Sequence, residues 1–127
     1  MTISVNPRPL TFEERSVIDK LLQEEFLGAR ELRRQVGLVR VVGQLHEGSP
    51  TVDFRIEGDV PAAPIASGTA PVEANVYGEN GELCGLILLW ITSGMLAGIE
   101  YATYGAEAPT ALPNADAMEV ILRKYPS

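Results

Sequence analysis

The chain predicts an α+β domain in which one or two N-terminal helices pack on an antiparallel sheet of about five strands. Apolar residues recur at three- and four-residue steps as far as Phe26, the period of a helix face, and at two-residue steps from Gly37 onward, the period of a strand. Connections between the later segments are short, which makes successive strands antiparallel neighbours. At 127 residues the chain is expected to form a single domain, 1–127, able to bury about two-thirds of its unfolded surface without metal or disulfide.

The first helix begins at Thr11. Glu14 follows three residues later, the spacing at which a hydroxyl and a carboxylate each cap the other's exposed backbone amide. Val17, Ile18, Leu21, Leu22 and Phe26 form one apolar stripe, and Glu13, Glu14, Asp19, Gln23 and Glu24 fall largely on the wet side. Gly28 is expected to break the helix. "ARELRRQV" then forms a short second one, with Leu32 and Val36 inward and Arg30, Arg33 and Arg34 in solvent.

From Gly37, Val39, Val41 and Leu45 alternate with Arg40 and Gln44, and Val52, Phe54 and Ile56 alternate with Asp53, Arg55 and Glu57. "HEGSP" between them is turn chemistry, so the two runs make a hairpin. "GDVPAAPIASGTAP", residues 58–71, has three prolines and two glycines and is expected to be irregular. A third strand carries Val72, Ala74 and Val76 against Glu73, Asn75 and Tyr77. Asn80-Gly81 suits a tight turn into "LCGLILLWI", Leu83 to Ile91, which is apolar throughout. Ser93-Gly94 turns the chain into a final strand ending near Tyr104. Both faces of Leu83 to Ile91 need cover. The helices are expected to supply one and the C-terminal "ADAMEVILRKY", read as a short helix with Met118, Val120, Ile121 and Leu122 inward, part of the other.

The net charge of -7 is unevenly placed: the chain is balanced through Arg55, and residues 56–127 carry nine acids and two bases. No Lys or Arg lies between Ile56 and Leu122. Nucleic-acid binding is therefore not expected, since phosphates require basic neutralisation, whereas a basic protein partner is compatible. The N-terminus has no export pattern, and the longest apolar run is less than half the ~20 residues of a membrane helix. A soluble, cytoplasmic protein with no membrane partner is the expectation. The single cysteine, Cys84, reads as a reduced thiol in an apolar strand.

Catalytic chemistry finds little support. His46, Ser49 and Asp53 supply the residue types of a hydrolytic triad, but a serine before proline in a hairpin turn lacks a fixed base and an oxyanion site. One histidine and one cysteine, far apart, do not make a metal site, and no carboxylates show metal-loop spacing. Gly78/Gly81 and Gly94/Gly98 lead from strand to strand rather than into a helix N-terminus, so no phosphate loop is present. No catalytic residue, metal ligand or cofactor is expected.

"LTFEERSVIDKLLQEEFLGARELRRQ", "SPTVDF", "PVEANV", "GLILLWITSGMLAGIEYATYG" and "PTALPN" together resemble a group of small acidic bacterial proteins over most of the chain. Relatives in that group place cysteines in the first hairpin turn; "GQLHEGSP" has none, so no metal or redox role carries over. Size, acidity and the helix-then-sheet order are also similar, in a general way, to the immunity proteins of contact-dependent growth inhibition. That resemblance implies a non-enzymatic module that neutralises one cognate toxin, of a nuclease type with a basic surface. Contact is then expected at Glu73, Glu100, Tyr101, Tyr104 and Glu107, with Asp53 and Glu57 next. Two other readings remain: a small-molecule or enzymatic pocket under the 58–71 loop, and a domain that homodimerises through its last strands.

Overall fold

The computed structural model describes residues 2–105 and 107–123. Its elements in chain order are β1 (Ile3–Arg8), α1 (Phe12–Leu21), α2 (Ala29–Gln35), a 3-10 turn (Val36–Leu38), β2 (Val39–Gln44), β3 (Val52–Ile56), β4 (Gly68–Tyr77), β5 (Leu83–Thr92), β6 (Met95–Thr103), a second 3-10 turn (Ala115–Ala117) and β7 (Met118–Leu122). The class is α+β with two helices and an antiparallel sheet. The sheet has seven strands, ordered β1-β2-β3-β6-β5-β4-β7, where about five were expected.

The start of α1 follows the capping-box chemistry. Thr11 Oγ1 accepts from the Glu14 amide at 3.1 Å, and the Thr11 amide donates to Glu14 Oε1 at 2.8 Å. Arg8, at the end of β1, grips the same carboxylate through two bonds of 2.9 Å. Burial, the largest single influence on Glu14, pushes its pKa up; the Arg8 hydrogen bond, the Thr11 amide and the Arg8 charge together outweigh it, so the carboxyl lies below its ordinary value. Val17, Ile18, Leu21 and Leu22 are buried as the stripe requires, but Glu14, expected on the wet side, is buried too, because Arg8 and the Thr11 amide close over its carboxylate. The helix is shorter than its apolar pattern: it stops at Leu21, and Phe26 packs on the core from the linker. Leu32 and Val36 of the second helical segment are buried, and Arg30, Arg33 and Arg34 are exposed.

Both helices lie on one side of the sheet, over Val72, Ala74 and Val76 of β4, Ile87, Leu89 and Ile91 of β5, and Leu96 and Ile99 of β6. Several expectations are corrected here. β1 escaped notice because "ISVNPR" carries Pro7 and no apolar alternation, marks of an edge strand. The C-terminal segment is a strand and not a helix. β4 offers it an open edge, Met118 and Val120 turn to the helix side opposite Val76 and Ala74, and Lys20 of α1 holds its start through the Ala115 and Met118 carbonyls at 2.6 and 2.9 Å. It therefore widens the sheet and covers neither face of β5. The last four residues of the 58–71 stretch, "GTAP", belong to β4, and Pro71 is tolerated where the β4–β5 register shifts between Thr69 and Glu73. Leu45 is exposed, because a bulge between Val41 and Gly43 breaks the alternation that would have buried it.

The turns fall where expected. Gly81 has φ +75, and Ser93 and Gly94 have φ +50 and +78, the doubly left-handed pair that a two-residue hairpin favours. A side chain at Gly94 would stand 2.5 Å from the Ala63 carbonyl oxygen, so this turn admits only glycine.

Candidate functional site

The side of the sheet away from the helices is the candidate site. Along β5 the odd-numbered residues Ile87, Leu89 and Ile91 are buried under the helices, so Leu86, Leu88 and Trp90 point the other way. Among the described residues no element is layered over them. Leu86 and Leu88 are half-buried by their neighbours, and Trp90 is 40% exposed.

Strand register places specific residues beside this row. Leu88 lies between Glu73 of β4 and Glu100 of β6, and Leu86 between Asn75 and Ala102. Further toward the β5–β6 turn, Gly43, Asp53, Gly98, Trp90 and Thr69 follow one another across five strands. Gly98 is required by close approach: a Cβ there would meet the Val52 carbonyl oxygen at 2.6 Å. The Trp90 indole N–H donates to Glu100 Oε1 at 2.9 Å. Asp53 Oδ2 accepts from the Thr2 hydroxyl. On the outer flank Tyr77 donates to Glu119 at 2.9 Å, and this bond is the main reason the Tyr77 phenol titrates above its ordinary value.

The carboxylates differ in how they are neutralised. Glu73 is paired with Arg123 at 3.0 Å, and Glu57 with Arg55 at 2.5 Å and Arg40 at 3.7 Å. The Arg55 hydrogen bond is the main cause that holds the Glu57 carboxyl below its ordinary range. Asp53, Glu100 and Glu119 have only neutral partners among the described residues. These three leave negative charge on the open face that no cation among the described residues compensates.

Two concavities adjoin the sheet. β3 and β6 pair only at Val52–Ile99 and Asp53–Gly98 and then part. A groove of about 670 Å³ opens there, lined by Asp53, Arg55 and Ile56 on one wall and Met95, Ala97 and Trp90 on the other. The parting has a structural cause in Gln35, at the end of α2 and fully buried. Its Oε1 accepts from the Leu96 amide at 2.8 Å, and its Nε2 donates to the Gly94 carbonyl at 2.9 Å and the Pro61 carbonyl at 3.2 Å. One carboxamide thus takes the Leu96 amide of β6, a donor that a neighbouring strand would otherwise pair, and ties it to carbonyls of the β5–β6 turn and of Pro61. A second cavity, of about 740 Å³, lies beneath residues 64–69 and is lined by Phe26, Leu27, Ile65, Pro71, Leu122 and Arg123.

The seven residues expected to make contact do not form one cluster. Glu73, Glu100 and Asp53 share the open face. Tyr101 opposes Ile87 on the helix side and lies over Gly85, where burial first and the neighbouring Cys84 second push its phenol above the ordinary value. Tyr104 and Glu107 are exposed beyond the end of β6, at the opposite end of that strand from the groove, and Glu57 follows the end of β3. Sequence reasoning can place Trp90 with Leu86 and Leu88 from the two-residue alternation of the strand. It missed the groove; the glycine within the "LAGIE" strand was its visible trace.

His46 is exposed, its Nδ1 3.1 Å from the Glu47 carbonyl oxygen, and Ser49 Oγ accepts from the Thr51 amide at 3.1 Å, so each is engaged with the backbone of its own turn. Among the described residues no three His, Cys, Asp or Glu side chains gather as metal ligands would, and no helix is long and apolar enough to cross a membrane. Compared with protein-family models, curated proteins and solved structures, the chain matches none.

Proposed function

We propose that the protein is a binding module that neutralises a basic protein, in the manner of an immunity protein toward its toxin, and that it does so with the open sheet face. The observation that carries this reading is the row Leu86, Leu88 and Trp90, uncovered by any described element and bordered by the carboxylates of Asp53 and Glu100, which no cation among the described residues neutralises. An apolar strip with an acidic border is the anatomy of an interaction surface. Its charge draws in a basic partner and its apolar centre holds the partner once docked. A toxin that acts on nucleic acid carries a positive active site, and an acidic plug blocks such a site without chemistry.

The test is association kinetics against the product of an adjacent toxin-like gene at two salt concentrations, with Leu88→Asp and Glu100→Lys beside the wild type. The expected on-rate falls with salt, because steering by exposed charge is screened over about 10 Å at 0.1 M. Glu100→Lys should slow association and Leu88→Asp should weaken the complex. Salt-independent association, or the absence of binding, would refute this reading. A doubled mass in dilute solution that Leu88→Asp abolishes would instead assign the face to a second copy of the chain.

A second reading rests on the 740 Å³ cavity beneath residues 64–69, whose size falls within the range of small-molecule sites and whose lining is largely apolar. Saturable stabilisation of the protein by small apolar carboxylic acids, lost on Ile65→Asp, would favour it.

A further inference from the structure

We infer that the groove between β3 and β6 receives one cationic side chain, a lysine or arginine of the protein partner, with the Trp90 ring as its platform and the Asp53 carboxylate as its counter-charge. The inference rests on the reading of the open face as a protein-binding surface and names what the partner must place there.

Trp90 and Asp53 line the same groove, on opposite walls. In the register they are separated by Gly98, which has no side chain to stand between them. On the other side Asp53 faces Gly43, so the carboxylate rises from a stretch of bare backbone. Its Oδ2 holds the Thr2 hydroxyl; its Oδ1 is directed toward β6, 3.6 Å from where a Cβ of Gly98 would stand, and accepts no hydrogen bond from any described residue. One carboxylate oxygen is therefore free to accept from a ligand.

The indole is fixed rather than free to swing. Its N–H is bonded to Glu100, which anchors the ring from β6 and adds a second negative charge near it. An indole is the best of the aromatic rings for holding a cation over its face, and a nearby carboxylate strengthens the attraction. Among the described residues the one cation lining the groove, Arg55, is drawn to the Glu57 carboxylate at 2.5 Å. A neutral occupant could donate to Asp53 but would leave its charge uncompensated, and an anionic one would be repelled by it. The remaining wall, Ile56, Met95 and Ala97, is apolar and suits the methylene stem of a long basic side chain.

Trp90 is the only tryptophan, so its emission reports on this site alone. The probes are acetyl-Leu-Arg-Leu-amide, its lysine counterpart, and the same peptide with citrulline, which keeps the shape of arginine and removes the charge. The expected result is a saturable change in Trp90 emission with the two cationic peptides, with affinity for the citrulline peptide lower by roughly fivefold or more. Asp53→Asn, checked for an unchanged unfolding midpoint, should bring the arginine peptide down to the citrulline level. Amide shifts of Gly43 and Gly98 should move in the same titrations. Equal affinity for the arginine and citrulline peptides, or an Asp53→Asn variant that binds as the wild type does, would overturn the inference. Kinetics with the basic partner separate it from the parent reading. If Leu88→Asp weakens the complex and Asp53→Asn does not, the face binds and the cation site is refuted; if neither variant changes binding, both readings fall.

Discussion

Replacing Gln35 by methionine tests how the groove is made. The side chain is fully buried and close in volume to methionine, so the substitution removes polar groups without leaving a large void. Three hydrogen bonds disappear: Leu96 N–H to Oε1 at 2.8 Å, and Nε2 to the Gly94 and Pro61 carbonyls at 2.9 and 3.2 Å. They do not cost the same. The Gly94 carbonyl keeps the Ala63 amide at 2.9 Å, and Pro61 is exposed, so water can replace the lost donor there. Leu96, 1% exposed, has no such alternative, and its amide becomes a buried donor without an acceptor. An orphaned buried donor costs about 1–3 kcal/mol, and the two lesser losses bring the expected destabilisation to about 2–4 kcal/mol.

Urea unfolding followed by Trp90 emission measures the change, and hydrogen exchange at Leu96 localises it. Gln35→Glu supplies a complementary reading. A carboxylate there still accepts from Leu96 but confronts the Gly94 and Pro61 carbonyls in a dry site, so its pKa should be raised. For a carboxyl raised in the folded state, stability is intact below the unfolded value near 4.3 and is lost as pH climbs through the folded value. The glutamate variant should therefore weaken on going from pH 5 to pH 8 relative to wild type. A methionine variant within 0.5 kcal/mol of wild type, or a glutamate variant with no pH trend, would refute the claim that this carboxamide stands in for a neighbouring strand.

Leu22→Ala removes a side chain 2% exposed beneath the helices and should cost about 2–5 kcal/mol in the same urea assay. Glu14, held below its ordinary pKa chiefly because the Arg8 bonds and the Thr11 amide outweigh its burial, contributes stability that is present above the unfolded carboxyl value and lost as pH falls through the folded one. Acid titration of folding should accordingly lose one step in Arg8→Met, with the difference between the two proteins fading at low pH.

What the sequence disclosed was local. Thr11 and Glu14 define a helix start by spacing alone, and Gly81 and the pair Ser93-Gly94 mark turns because few residues accept positive φ. What it concealed depends on partners distant in the chain. "MEVIL" places apolar residues at 118, 120, 121 and 122, a pattern that fits one turn of helix as well as a strand; only the edge of β4 decides between them. β1 has no pattern of its own and exists because β2 accepts it and Arg8 reaches Glu14. The groove is the extreme case, since it depends on an interaction between Gln35 and Leu96 across 61 positions. The charge reading fared differently again. The acidic excess after Ile56 is plain in the sequence, but whether each carboxylate already has a cation, as Glu73 does and Glu100 does not, depends on register.

Strand addition rather than layering has a consequence for how the protein can associate. Its two helices supply one covering layer, and the segments outside them, β1 and β7, extend the sheet instead of building a second. Long, flat edges invite pairing with another chain, and short, irregular or proline-bearing ones resist it. β7 is five residues long, and β1 contains Pro7 and a register shift between Ser4 and Arg8. Both edges are thus of the resisting kind, and the helix side is already occupied. The remaining broad surface is the open face, where Leu86, Leu88 and Trp90 still present apolar area to water and would gain about 25 cal/mol for each Å² that a partner covers. Asp53, Glu100 and Glu119 around that row discourage a second copy of the same face by like-charge repulsion while favouring a basic one. Edge chemistry and face chemistry therefore select the same geometry, a heterologous partner laid flat against the sheet with a cation reaching toward Asp53.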